Sequence, residues 1–276
     1  MATINVNGVD LHYDELGSGE PILGIHGTPS SSALWADAAR ELAGHGRCIV
    51  YDRRGFGLSG PHPRPDHLDL DTHVADAAAL LVALDAAPAT VVGRSTGGLV
   101  ALALARAHPD VVGRLVLLEP TVLTLDEDAR HWADRLRRRV IAAALTHPGR
   151  AAEAVVVAAL GPATWSALTD EARDAMDQAG DAVLAEARGS GLDLSADFLL
   201  ADCDWVSEVT CPSLVVSAEN SPDVLRRVNE RLVELLPDAR AALVKGGHLI
   251  DPAHPAVLGF LDASAAAVPG KARVSP

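Results

Sequence analysis

The stretch ATVVGRSTGGLVALALARAHP, residues 89–109, sets a lone hydroxyl between strand-forming residues and an alanine- and leucine-rich helical run. Gly93-Arg94-Ser95-Thr96-Gly97 has the Gly-x-Ser-x-Gly spacing of a nucleophile elbow. A turn this tight crowds strand against helix, so the positions two before and two after the serine must lack bulk. Gly98 extends the clearance. The turn lifts the hydroxyl above a sheet, and the helix N-terminus beneath it supplies amide donors and a positive dipole end. Ser95 is the candidate nucleophile; a serine that only caps the helix is the alternative.

A serine hydroxyl attacks only when a base takes its proton. Of the 11 histidines, His248 in LVKGGHLIDPAHP follows a strand-like run, and its two glycines free the loop to reach across a sheet edge. His254 precedes Pro255 at a helix start, and most others lie in turns, at helix ends or on charged faces. The base needs a carboxylate to fix its tautomer and stabilise the imidazolium. Glu119 closes the apolar run RLVLLEP, where a charge without a partner is expensive to desolvate. Glu219 and Asp223 in SAENSPD compete for the role. Acyl transfer also builds an oxyanion, and the Thr96 N–H directly after the nucleophile is one expected donor to it.

Elements must position these groups. TINVNGVDLHYDELGSG alternates around Asn7-Gly8 as a hairpin does. The runs PILGIHG, RCIVYD, ATVVG and GRLVLLE read as buried strands, with helices between them. One of these helices, DTHVADAAALLVALDAA, should be N-capped by Asp71 or Thr72. From about Thr121 to Trp205 the chain is helical and charged, after which strands SLVVSA and ARAALV alternate with helices again. The last helix should run from about Pro255 to Ala267. Apolar strands alternating with helices imply an α/β fold with a mostly parallel sheet covered on both faces. The expected organisation is a core of residues 1–120 and 206–267, a helical insertion at 121–205 after the sixth strand, and a disordered tail at 268–276.

Composition narrows the partners. The 276 residues are 49% hydrophobic but only 3% aromatic, so packing must rest on Ala, Leu and Val. A net charge of −14 argues against nucleic acid and against an anionic membrane. Cys48, Cys203 and Cys211 are odd in number and widely spread, so neither a disulfide framework nor a zinc site is expected. MATINVNGVDLHYDE has no basic flank or apolar signal core, and no stretch approaches the roughly 20 apolar residues of a membrane span. A cytoplasmic protein with no metal and no cofactor is the expectation, with a homodimer left open.

The segments HGTP (26–29), DRRGFGLS (52–59), GRSTGG (93–98) and GGHLIDPAHP (246–255) stand in the order found in the α/β-hydrolase superfamily, which the chain resembles over nearly its whole length. The resemblance implies an α/β-hydrolase fold whose helical insertion is a cap roofing the site. It implies Thr28 N–H as the second oxyanion donor, His26 as an anchor of that loop, and Asp52 and Arg53 as ties between loops. In most of the superfamily the acid sits in a Gly-x-x-Asp pattern after the strand that follows the cap. Here Ala218 and Ser221 hold those two positions, so that seat is empty.

A glutamate after the earlier strand, with the same offset from serine to glutamate and a Gly-x-His followed by His-Pro, is similar to the fungal lactonases that open the macrolactone of zearalenone. Their cap segment loosely resembles ATWSALTDEAR, which nominates Trp165. The large apolar residues Trp132, Trp165, Met176, Phe198 and Leu199 are candidates for the pocket wall, with packing between cap and core as the alternative. Arg94 departs from the commoner histidine or tyrosine at its position, and either pairs with an acidic cap residue or packs under the elbow. The leading expectation is a cofactor-free serine hydrolase acting on a small apolar ester or lactone, a zearalenone-type macrolactone being the sharpest form of it. A cofactorless haloperoxidase or perhydrolase, a carbon–carbon bond hydrolase and a hydrolase-fold ligand sensor are the alternatives. Epoxide hydrolase and dehalogenase chemistry need an aspartate where Ser95 stands.

Overall fold

The computed structural model describes residues 2–60, 65–198 and 204–265. Strands β1 (Ala2–Val6) and β2 (Val9–Leu16) form a hairpin on Asn7-Gly8. Both turn residues have positive φ, 49° and 73°, as a two-residue turn matched to strand twist requires. There follow β3 (Pro21–Ile25), α1 (Ala36–Leu42), β4 (Arg47–Tyr51), α2 (Leu70–Ala83), β5 (Ala89–Arg94), α3 (Thr96–Ala107) and β6 (Val112–Leu118). Five helices intervene: α4 (Glu127–Ala144), α5 (Arg150–Leu160), α6 (Pro162–Ala167), α7 (Asp170–Asp177) and α8 (Gly180–Arg188). Then β7 (Ser213–Ala218), α9 (Asp223–Leu235), β8 (Ala239–Val244) and α10 (Pro255–Ala265) complete the described chain. The eight strands form one sheet in the order β1-β2-β4-β3-β5-β6-β7-β8. Only β2 runs antiparallel to its neighbours; the rest pair in parallel.

Strands β3 to β7 are largely apolar without alternation because both faces of the sheet's centre are covered. Leu115 and Leu117 of β6 point into one core layer with Leu80 of α2, Leu99 of α3 and Leu232 of α9. Val116 and Leu118 point into the other, with Trp35, Leu42 of α1 and Phe260 of α10. Each fully buried leucine contributes about 2 kcal/mol of transfer free energy. Helix α2 begins at Leu70, earlier than the expected caps Asp71 and Thr72, and Asp69 precedes it. The Asp69 carboxylate accepts from Ser190 N–H (2.8 Å) and makes no bond to its own helix, so a tertiary contact sets this boundary.

Helices α4 to α8 build a smaller core of their own. Leu136, Val140, Ala151, Ala182 and Val183 pack there with Phe56 and Leu68 from the loops beneath. Asp126 caps α4 through Ala129 N–H (2.8 Å), and Thr169 caps α7 through Ala172 N–H (3.2 Å). Helices α6 and α7 bury no residue. Among the described residues no helix is long and apolar enough to cross a membrane. The segment 268–276, Cys203 and His62 lie outside the described residues.

Candidate active site

Parallel pairing sets Arg94 of β5 against Leu118 of β6, so the residues that follow, Ser95 and Glu119, leave the sheet side by side. The backbone fixes both: Ser95 N–H donates to Leu118 O (3.0 Å) and Glu119 N–H to Val216 O (3.1 Å). Both have positive φ, 56° and 46°, a strained region for residues with side chains. The glycines around Ser95 are required by crowding. A Cβ on Gly93 would lie 2.4 Å from Gly97 O, and one on Gly97 would lie 2.2 Å from Ile25 O.

His248 bridges the two side chains. Its Nε2 lies 3.1 Å from Ser95 Oγ and its Nδ1 lies 2.7 Å from Glu119 Oε2. An ionised carboxylate only accepts, so Nδ1 carries the proton and Nε2 is the lone pair facing the serine hydroxyl. Glu119 is fully buried and still well supplied with donors. Ala218 N–H donates to Oε1 (2.8 Å), and Ser221 Oγ donates to Oε2 (2.7 Å). The competing carboxylates are elsewhere: Glu219 and Asp223 are exposed, and Asp223 pairs with Arg226. The part played by Ser221 was not foreseen, because a serine standing in an acid's position reads as a loss until its partner is known.

The HGTP loop presses against the elbow, since a Cβ on Gly27 would lie 3.0 Å from Ser95 Cβ. Among the described residues neither Thr28 N–H nor Thr96 N–H has a protein acceptor, which leaves two amides free beside the serine hydroxyl. His26 donates from Nδ1 to Gly27 O (2.7 Å) and accepts Arg53 N–H on Nε2 (3.0 Å). Burial, helped by the Arg53 charge, holds its pKa well below the usual value, so it is neutral and anchors the loop. Asp52 ties loops as well, accepting Ser32 N–H (2.6 Å) and Leu58 N–H (2.8 Å).

Arg53, fully buried, reaches further. It donates to His26 O (3.0 Å), to Thr28 Oγ1 (2.6 Å) and to Glu186 Oε1 of α8 (2.6 Å). Thr28 Oγ1 in turn donates to Glu186 Oε2 (2.7 Å). Burial alone would raise the Glu186 pKa; the Arg53 charge and the His73 hydrogen bond overcome it and bring the group down to about 2.

A cavity of about 290 Å³ opens over Ser95 and His248, with Thr28 and Thr96 on its wall. The rest is largely apolar, including Trp132, Leu136, Val156, Leu160 and Met176. Two expected wall residues are displaced from it. Trp165 sits on α6, which buries nothing, and Thr164 and Leu168 face the cavity in its place. Phe198 is buried in the core layer that holds Leu123 and Val206. Leu199 lies outside the described residues. Among the described residues Arg94 pairs with no cap acid. It lies over the Trp35 ring (5.6 Å) and donates to Ile250 O (3.3 Å), and burial draws its pKa down to about 10. Asp193, which the sequence did not single out, also lines the cavity.

Comparison with known proteins agrees with this architecture. Over 123 residues the chain is 34% identical to an uncharacterised hydrolase, YraK, of Bacillus subtilis (strain 168), covering 45% of each chain. Over 123 residues it is 41% identical to a non-heme chloroperoxidase of Streptomyces lividans, covering 43% of this chain and 44% of that one. These matches span less than half the length of either relative. Among solved structures it is similar to Est816, described as an N-acyl homoserine lactone degrading enzyme, with a TM-score of 0.72, 23% identity and coverage of 96% and 99%. At that identity the likeness is one of fold. The family described as alpha/beta hydrolase fold matches residues 20–251, from just before β3 through the histidine loop, and the chain therefore belongs to the α/β-hydrolase fold family.

Proposed function

We propose that the protein is a serine hydrolase cleaving a carboxylic ester or lactone, with Ser95 as nucleophile, His248 as base and Glu119 as the acid that orients it. The observation that carries this reading is the unbroken chain Ser95 Oγ to His248 (3.1 Å) to Glu119 (2.7 Å), opening into an apolar cavity. Ser95 Oγ attacks the carbonyl carbon while His248 Nε2 takes its proton. The oxyanion forms against Thr28 N–H and Thr96 N–H. As the acyl–oxygen bond breaks, His248 returns the proton to the departing alkoxide, leaving an acyl ester on Ser95. Water, deprotonated by the same imidazole, then releases the acid.

A zearalenone-type macrolactone is the finer substrate proposal. Its support is the seat of Glu119 after β6 and the tryptophan Trp132 on an apolar wall. Assay of p-nitrophenyl butyrate and of zearalenone, with native protein and S95A, tests both levels. Turnover falling about 10³-fold or more in S95A is expected, and turnover by S95A at the native rate overturns the reading. A perhydrolase reading is favoured by the likeness to the Streptomyces chloroperoxidase, since hydrogen peroxide can take the place of water at the acyl-enzyme. Bromination of monochlorodimedone in acetate, bromide and peroxide, where the peracid formed oxidises bromide to hypobromite, outpacing ester hydrolysis, would select it.

A further inference from the structure

Among the described residues three buried carboxyl groups, Glu119, Glu186 and Asp193, touch the histidine, the Thr28 loop or the elbow, and two of them are fully engaged. Glu119 has three donors and Glu186 has Arg53 and Thr28. Asp193, in the turns after α8, is the exception: among the described residues it accepts one hydrogen bond, from Thr96 Oγ1 at 3.2 Å. A buried carboxyl with a single neutral donor is costly. Burial, and next the Glu186 charge, raise its pKa to about 7, so near neutrality it both donates and accepts. Thr121 Oγ1, buried, faces the Asp193 carboxyl closely enough to favour its ionised form, yet completes no hydrogen bond of ordinary length and angle among the described residues. Both residues line the cavity together with Ser95 and His248. Two polar groups with unspent capacity therefore converge on an otherwise apolar wall.

Their place in the site is set by Thr96, whose side chain holds Asp193 and whose N–H faces the oxyanion position in the hydrolase reading, on which this inference rests. We propose that Asp193 and Thr121 form a subsite for a hydroxyl group carried on the acyl part of the substrate, close to the scissile carbonyl. A hydroxyl fits because it donates to Asp193 and accepts from Thr121 Oγ1 at once, whereas an amide N–H only donates. Trp132, Leu136, Val156 and Leu160 then receive the remaining hydrocarbon. The substrate class is a hydroxyacyl ester or lactone.

Calorimetric binding to S95A, which leaves the ester intact, tests this with methyl 3-hydroxyoctanoate and methyl octanoate. The hydroxy ester should bind about 10-fold more tightly, the effect of satisfying buried polar groups. S95A/D193A and S95A/T121V should bind the two esters alike. S95A/D193N should keep most of the preference, because its amide still accepts the hydroxyl. Equal affinity in S95A, binding of neither ester, or a preference that survives D193A and T121V overturns the subsite. So does an equal weakening of both esters by D193A, which would mark a purely structural role through Thr96. Native turnover of both esters without preference removes the subsite alone. A binding preference with no native turnover removes the hydrolase reading alone.

Discussion

Ser221 Oγ donates a 2.7 Å hydrogen bond to the same Glu119 oxygen that His248 Nδ1 approaches. The position after β7 thus supplies a donor, while the carboxylate stands at the end of β6. A carboxylate introduced at 221 would lie close to His248. E119A should lower kcat on p-nitrophenyl butyrate by about 10³-fold, the scale of losing the orienting acid. E119A/S221D should recover about 10-fold of that loss or more. Steady-state kcat of the two variants measures it, and no recovery would mean that only the β6 seat has usable geometry.

Glu186 makes the acid sensitivity specific. Its folded pKa, about 2, lies below the ordinary carboxylate value of 4.5. Its stabilising contribution is therefore present above about pH 4.5 and is lost as pH falls toward 2. E186Q leaves the buried Arg53 charge unpaired, and should cost about 3–5 kcal/mol at neutral pH. Urea denaturation of both proteins from pH 7 to 3 should show this gap narrowing as acid is added.

Asp193 slopes the other way. Its folded pKa near 7 stands above the ordinary 3.8. Stability associated with its neutral form is full below about pH 3.8 and is lost as pH rises toward 7. D193N cannot ionise, so its Tm relative to the native protein should climb between pH 4 and 7 and level off above. A Tm difference that stays flat with pH would contradict the shift.

G97A should destabilise the fold by about 3 kcal/mol or more, because its Cβ would meet the Ile25 carbonyl at 2.2 Å and neither backbone has room to yield. Denaturant midpoints report it. A loss of activity with unchanged stability would relocate the effect to the elbow's shape.

Among the tryptophans, W132A should raise KM for an apolar ester by about 10-fold, the scale of one buried aromatic contact. W165A should leave KM within about twofold, since Trp165 stands outside the cavity wall. Equal effects would place both in substrate contact.

The sheet was legible because its strands are short apolar runs bounded by glycine and charge. SLVVSA and ARAALV coincide with β7, which is buried on both sides, and with β8, the edge strand, which is apolar in sequence but largely exposed. The elbow was legible because steric crowding leaves few residues that fit at positions 93, 97 and 98. The pairing of Glu119 with His248 could be suspected from the cost of a charge closing an apolar strand, but sheet order decided it. Pocket residues were less readable. Helices α4 to α8 are rich in alanine, and a scarce large side chain such as Phe198 reads the same whether it faces the core or the cavity. Asp193 carried no sequence signal at all, since only the turns after α8 bring it to Thr96.

Glu186 grips Arg53 and Thr28 together, so α8 cannot lift without separating two fully buried charges and slackening the loop beside the serine. Helix α6 with Thr164, the linking Leu168 and helix α7 with Met176 also stand over the cavity, yet the two helices bury no residue and, among the described residues, make no buried ion pair. A displacement of that flank would leave the ion pair beneath α8 intact, because none of the groups that hold Glu186 stands on α6 or α7.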